Sequence, residues 1–334
     1  MWNVPVSMKN KIQSTRYRRL RLYGGRQLVI IASVLLLATL TQKLLASENV
    51  PHRPFAQWAD VPQAGQFVLG LVYEESEAYH IWAGGQYRNV TVKAGGESYG
   101  IDINQGYLAL QYGVTERWAA DLNIGGTTLG WRYFANGKIE STTGLLDTSF
   151  GLRYQLFNEA QATSPWIPTL TLRAVAVVPG TFSEDFAFAP GTRSTAVEPE
   201  LLLRKHFGSS GLGVYGDGLF RWNRTTHNDQ YITVVGLFQQ IKGWELDAGY
   251  RHLQTITGSD ISFANPKDPS SIIYPRDVRE ISDSIEAGFS YTTAKSHIRY
   301  GFHSRTVVDG NNSDAKFWVG CSLDIPLGGK NNEQ

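Results

Sequence analysis

The sequence predicts an all-β fold, a closed antiparallel up-and-down transmembrane β-barrel of about twelve strands. Three observations predict it. Segments of about ten to fifteen residues alternate apolar with polar or small side chains from Gln66 onward, with no long stretch of helical period. Short and long connections alternate between these segments, and aromatic residues mark their ends. The chain opens with an export-type address.

Residues 1–47 carry eight Lys or Arg and no Asp or Glu, including Arg16, Arg18, Arg19 and Arg21, and lead into the apolar run Leu28–Leu40. Thirteen residues are too few for a comfortable spanning helix and suit the core of a signal peptide, with cleavage near Ala46 or Ser47. An uncleaved inner-membrane anchor is the rival reading of this run. Segments 48–65, 66–326 and 327–334 then read as a short N-terminal periplasmic segment, the barrel and a polar C-terminal tail.

Composition agrees with this division. The 334 residues include 34 Gly, 9 Trp, 16 Tyr, 15 Phe, 2 Met and 1 Cys, with a mean hydropathy of -0.24, which excludes a bundle of apolar spanning helices. The overall charge of +1 is carried by the N-terminus: taking its eight basic residues from 31 leaves 23 against 30 acidic, a net −7 for the body. No nucleic-acid partner is expected, because phosphate contacts need a basic surface. The single Cys321 forms no internal disulfide, no Cys/His cluster has metal-ligand spacing, and neither cofactor nor metal is expected.

The strands are expected near 66–76, 100–113, 116–131, 142–157, 167–181, 193–208, 211–225, 229–241, 243–257, 279–293, 295–308 and 313–326, with 79–93 either a further strand or part of a long first loop. In Trp244–Arg251, Trp244, Leu246, Ala248 and Tyr250 face one way while Glu245, Asp247, Gly249 and Arg251 face the other. Leu212–Trp222, Asp147–Leu156, Thr169–Val175, Ser284–Tyr291 and His297–His303 repeat the pattern. A soluble sandwich or barrel would bury the apolar face, and a membrane barrel turns it to lipid. Trp118, Trp131, Tyr154, Trp166, Trp222, Trp244 and Tyr291 at strand ends, the strand length and the export signal favour the membrane version, with outer-membrane lipid as the partner. A soluble periplasmic β-protein reads with the same alternation.

Connections at 113–116, 208–211, 241–243 and 292–295 are tight, as periplasmic turns are. Those at 77–99, 132–141, 182–192, 226–229, 258–278 and 309–312 mostly run longer, as extracellular loops do.

With that register the polar face holds Glu198, Glu200, Asp217, Glu245, Asp247 and Glu286 opposite Arg153, Arg173, Arg204, Arg221, Arg251, Arg299 and Arg305, the candidate pore-lining residues, with Asp121, Asp147 and Lys316 alongside. The two signs nearly balance. Ionised groups in a narrow lumen are costly unless paired or hydrated, so cross-strand ion pairs are expected in place of a ring of one charge.

Tyr112-Gly-Val-Thr-Glu-Arg-Trp118, followed by Asp121-Leu-Asn-Ile124, resembles a hairpin of the MetA-like, phenol-degradation meta-pathway family of outer-membrane proteins. Gly144-Leu-Leu-Asp-Thr-Ser-Phe-Gly-Leu-Arg-Tyr-Gln-Leu156 resembles that family's Gly- and Asp-marked strand, with Leu146 where a second Gly is usual. The resemblance spans roughly 65–326. It implies an outer-membrane channel or transporter passing small, hydrophobic or aromatic solutes passively. The chain departs from the usual barrel ending in having no terminal aromatic residue after Leu327.

Two other functions compete: a closed structural or adhesive surface barrel acting through loops 77–99 and 258–278, and a barrel esterase. The esterase needs a serine and a histidine on one face, oriented by an acid or amide. The available histidines are His206 near Ser209, His252, and His303 beside Ser304, and adjacent strand residues face opposite sides. No enzymatic activity is expected.

Overall fold

The computed structural model describes residues 59–94, 97–132, 139–182, 193–224, 228–265, 272–273 and 277–328. The segment 1–47 expected to be a signal peptide, most of 48–65 and the last six residues lie outside the described part.

Twelve long strands among the described residues form the barrel: β1 (Gln66–Ala78), β2 (Ile101–Gly113), β3 (Trp118–Arg132), β4 (Thr148–Phe157), β5 (Thr169–Val178), β6 (Ala196–His206), β7 (Leu212–Asn223), β8 (Gln230–Ile241), β9 (Trp244–Thr255), β10 (Ile281–Thr292), β11 (Arg299–Asn311) and β12 (Phe317–Gly328). Each pairs antiparallel with its neighbours in sequence, and β1 pairs with both β2 and β12, so the sheet closes without an edge. Closure satisfies every ladder without water, the condition a strand structure must meet in hydrocarbon.

Boundaries moved where pairing overrode pattern. The strand expected at 142–157 is two pieces: Ile139–Leu145 pairs with the upper part of β3, and Thr148–Phe157 pairs with its lower part. Between them, Asp147 accepts hydrogen bonds from the backbone N–H groups of Gly180 (2.9 Å) and Arg193 (3.1 Å). Through these two bonds it ties down the backbone on either side of the 183–192 connection. β12 runs to Gly328, two residues into the expected tail, because its last residues pair with the start of β1. Lys316 lies just before β12, outside the strand.

The β8–β9 connection is two residues, Lys242 (φ 48) and Gly243 (φ 84), both left-handed as a type I′ turn requires. The other end of the barrel carries the longer loops. In the first of them, His80–Ala83 and Gln86–Asn89 form a small hairpin, so 79–93 adds no barrel strand.

The burial pattern settles which face is which. In β5, Thr169, Thr171, Arg173, Val175 and Val177 are buried, while Leu172, Ala174, Ala176 and Val178 are exposed. Around the barrel the outward positions hold Phe67, Leu71, Phe150, Leu152, Leu201, Val235, Leu237, Phe289 and Phe302, all large, apolar and exposed. Such a surface is stable only against lipid. Cross-strand aromatic pairs ring the short-turn end: Phe67 with Tyr112 (4.4 Å between centroids), Trp118 with Tyr154 (4.7 Å) and Trp244 with Tyr291 (4.9 Å). They lie where an aromatic belt is expected.

Candidate functional site

The inward face of the wall is the candidate site. All thirteen charged residues expected there occupy inward positions, and nine of them are buried: Arg153, Arg173, Glu198, Glu200, Arg204, Glu245, Asp247, Glu286 and Arg299. Asp217, Arg221, Arg251 and Arg305 are partly buried.

The first group centres on Arg173 of β5. Its Nη1 donates to Glu200 Oε2 of β6 at 2.7 Å, and its Nε donates to Asp121 Oδ2 of β3 at 3.1 Å. Arg153 Nε of β4 donates to the same Asp121 oxygen at 2.9 Å. Asp121 reaches across β4 because its neighbour there is Gly151: a Cβ at Gly151 would lie 2.5 Å from the carboxylate. Two arginines and two carboxylates thus compensate one another over four strands, as the near balance of charges predicts.

Glycine bridging recurs. The Tyr215 ring of β7 lies over Gly236 of β8, and its hydroxyl lies over Gly249 of β9 and donates to Glu286 Oε1 of β10 at 3.1 Å. His303 of β11 lies over Gly320 of β12 and places Nε2 3.4 Å from Glu74 Oε1 of β1. The inward glycines act as notches in which long side chains lie flat and meet partners two or three strands away.

Further pairs brace the wall. Arg221 Nε donates to Glu198 Oε1 at 2.5 Å, and Arg299 Nε lies 3.3 Å from Asp324 Oδ2. Gln240 Nε2 donates to Glu245 Oε2 at 3.0 Å, and the Arg305 guanidinium stacks over Trp318 at 4.7 Å.

At the short-turn end the chain before β1 enters the barrel, which sequence reading missed. The Ala59 carbonyl accepts from Gln155 Nε2 (3.2 Å) and from the Thr171 hydroxyl, and Asp60 forms an ion pair with Arg204. Arg204 also lies 3.7 Å from Glu159 in the β4–β5 turn. Glu159 accepts from Lys205 Nζ and from the His206 backbone N–H, each at 3.0 Å. Burial pushes the Glu159 carboxyl up, but the hydrogen bonds from the His206 ring, the His206 backbone and Lys205 outweigh it, leaving the group below its ordinary range. No motif marks Asp60 as an inward residue; only the fold shows where it lies.

At the other end a hairpin folds onto the inner face of the wall. The His80–Asn89 hairpin packs Ile81, Ala83 and Val90 onto Ala78, Ile101, Ile103 and Leu129 at the tops of β1 to β3, together with Ile261 of the β9–β10 loop. Trp82 N–H donates to the Ser313 carbonyl (2.7 Å), and Ala315 N–H to the His80 carbonyl (2.8 Å).

The histidines weighed for catalysis are engaged elsewhere. His206 turns Nδ1 to Glu159 and Nε2 to Gln240 Oε1 at 3.2 Å, leaving neither nitrogen for Ser209. His252 Nδ1 pairs with Asp283 Oδ1 at 2.7 Å on the outward face, and His303 points inward while Ser304 points out.

The fold defines a twelve-stranded membrane-type barrel with a charged interior. It is shared with an outer membrane channel from Pseudomonas putida F1 whose crystal structure superposes at a TM-score of 0.62 and 14% identity, covering 80% of this chain and 98% of that one. The translocator domain of the autotransporter NalP from Neisseria meningitidis matches at 0.42 and 11% identity (80% and 90% covered). The Pseudomonas putida toluene transporter TodX matches at 0.41 and 11% identity (80% and 91% covered). No family model matches the chain, and no curated protein matches it.

Proposed function

We propose that the protein is an outer-membrane channel that passes small solutes passively, and that the thirteen inward charged residues line its path. The observation that carries the reading is the inverted distribution of side chains in a closed barrel: lipid-suited residues outside, ionic pairs inside. The shared fold with an outer membrane channel supports it. Side chains lying flat in glycine notches leave the axis less crowded than extended ones would. Small hydrophobic or aromatic solutes are the proposed cargo, supported by the two motifs that resemble the MetA-like family.

The test is single-channel recording of the refolded protein in planar bilayers, with a heat-modifiable gel shift to report barrel closure. Small discrete steps that grow when Asp60→Asn releases the segment before β1 are the expected result. A folded barrel that passes neither ions nor a small aromatic solute into liposomes, in both wild type and the Asp60→Asn variant, would overturn it. That outcome would favour a closed surface barrel, a reading supported by the ordered contacts at both ends of the lumen.

A further inference from the structure

We propose that the His80–Asn89 hairpin is a lid over the long-loop mouth and that Asn312 is its latch. This inference rests on the channel reading, since a lid matters only where something passes.

The hairpin is built to move separately from the wall. Its two strands are four residues each and form a two-stranded sheet separate from the barrel sheet, and isolated two-stranded hairpins are marginal in water. Its turn is Gly84 (φ 53) and Gly85 (φ 79). Its contacts with the rest of the protein include one short backbone bridge, Ile81 opposite Asp314, the apolar contacts beneath it, the Arg88 guanidinium over the Phe263 ring (5.6 Å) and Asn312.

Asn312 spends its whole side chain on this task. Oδ1 accepts from Gly84 N–H (2.8 Å) in the hairpin turn and from Ile261 N–H (2.9 Å) in the β9–β10 loop. Nδ2 donates to Asp260 Oδ1 and to the Arg279 carbonyl, both at 2.8 Å. One fully buried amide therefore ties together three connections that are far apart in sequence. Its four contacts match the two lone pairs and two protons an amide carries, so no smaller or purely accepting side chain can replace it. Asn312 adopts φ 55, a left-handed conformation that Asn tolerates and Gly accepts freely. Asn312→Gly thus removes the latch without backbone strain, frees the Gly84 N–H of the hairpin turn and leaves the buried Ile261 N–H unbonded.

Two readouts test the proposal, and neither requires the barrel to conduct, so a failed lid and a failed channel are distinguishable. In a Cys321→Ser background, Ser76→Cys places a thiol on the inward face of β1, one inward position below Ala78. Asn312→Gly is expected to speed its reaction with a membrane-impermeant methanethiosulfonate reagent at least tenfold. Deuterium exchange of residues 80–90 and 259–264 should rise with it, while β4 to β8 stay protected. Unchanged thiol reactivity, or exchange that rises equally throughout the barrel, would overturn the latch.

A second variant guards against a folding defect. Ile81 and Asp314 form the narrow, non-hydrogen-bonded type of antiparallel pair, with Cα atoms about 4.5 Å apart, within disulfide reach. In the Cys321→Ser background without the reporter, Ile81→Cys with Asp314→Cys should oxidise to a closed lid whose exchange is as slow as in wild type, and reduction should accelerate it. Failure of the disulfide to form, or indifference of exchange to reduction, would count against a moving lid.

Discussion

Arg173→Met tests whether the wall charges are a paired, dehydrated network. The wild-type group holds Arg153 and Arg173 against Asp121 and Glu200, with each side chain nearly inaccessible. Methionine keeps most of the volume but leaves one cation facing two carboxylates. Asp121 retains Arg153 at 2.9 Å, whereas Glu200 loses its 2.7 Å partner. Breaking a buried pair from one side costs about 3–5 kcal/mol, because the orphaned charge stays desolvated. Equilibrium urea unfolding in detergent or lipid, followed by the heat-modifiable shift, should show a loss in that range. Glu200→Gln on the Arg173→Met background should recover part of it, because it removes the orphaned charge. A loss under about 1 kcal/mol with no recovery would refute the reasoning and mean that water solvates these groups as it does surface pairs.

Three other predictions test separate parts of the argument. Val235 is exposed on the outward face of β8, so Val235→Arg should cost roughly 2–4 kcal/mol of barrel stability near the bilayer midplane, where a soluble protein would be indifferent; a neutral result refutes the lipid-facing assignment. Gly236→Ala should drive a methyl into the Tyr215 ring and cost about 1–3 kcal/mol by overpacking. Gly218→Ala, with open space at its Cβ, should stay within about 0.5 kcal/mol in the same unfolding assay. Because the folded Glu159 carboxyl lies below its ordinary range, its contribution is present above the unfolded carboxylate pKa and is lost as pH falls through the lower folded value. Glu159→Gln should therefore flatten the acid limb of a stability–pH curve without steepening it, and an unaltered limb would refute the assignment.

The period-2 pattern was legible because side-chain direction in a strand is a local property that needs no knowledge of the partner strand. It was enough to read the all-β class, the approximate extent of the strands, the twelve-strand count and the inward placement of residues such as Arg153, Glu200 and Glu245. The hairpin at Lys242-Gly243 was legible for the same reason, since a two-residue turn between alternating runs is local.

Pattern alone left open whether the apolar face meets lipid or a core, because both arrangements alternate identically; the exposure of Phe150, Leu152, Val235 and Leu237 in the closed barrel resolved it. Partnership was equally illegible. That Arg173 bridges Asp121 and Glu200, or that Tyr215 crosses two glycines to Glu286, depends on registers set jointly by twelve strands and by barrel closure. Asp147, Asp60 and Asn312 carry no signal of their own, being ordinary polar residues near connections. Their roles come from segments 46, 144 and 228 positions away, for Asp147 with Arg193, Asp60 with Arg204 and Asn312 with Gly84. The sequence by itself determined the alternating faces, because those follow from one residue and the next. Only the tertiary structure decided which charges meet and which segments pack against each end of the wall, because those contacts exist only once distant strands share one closed barrel.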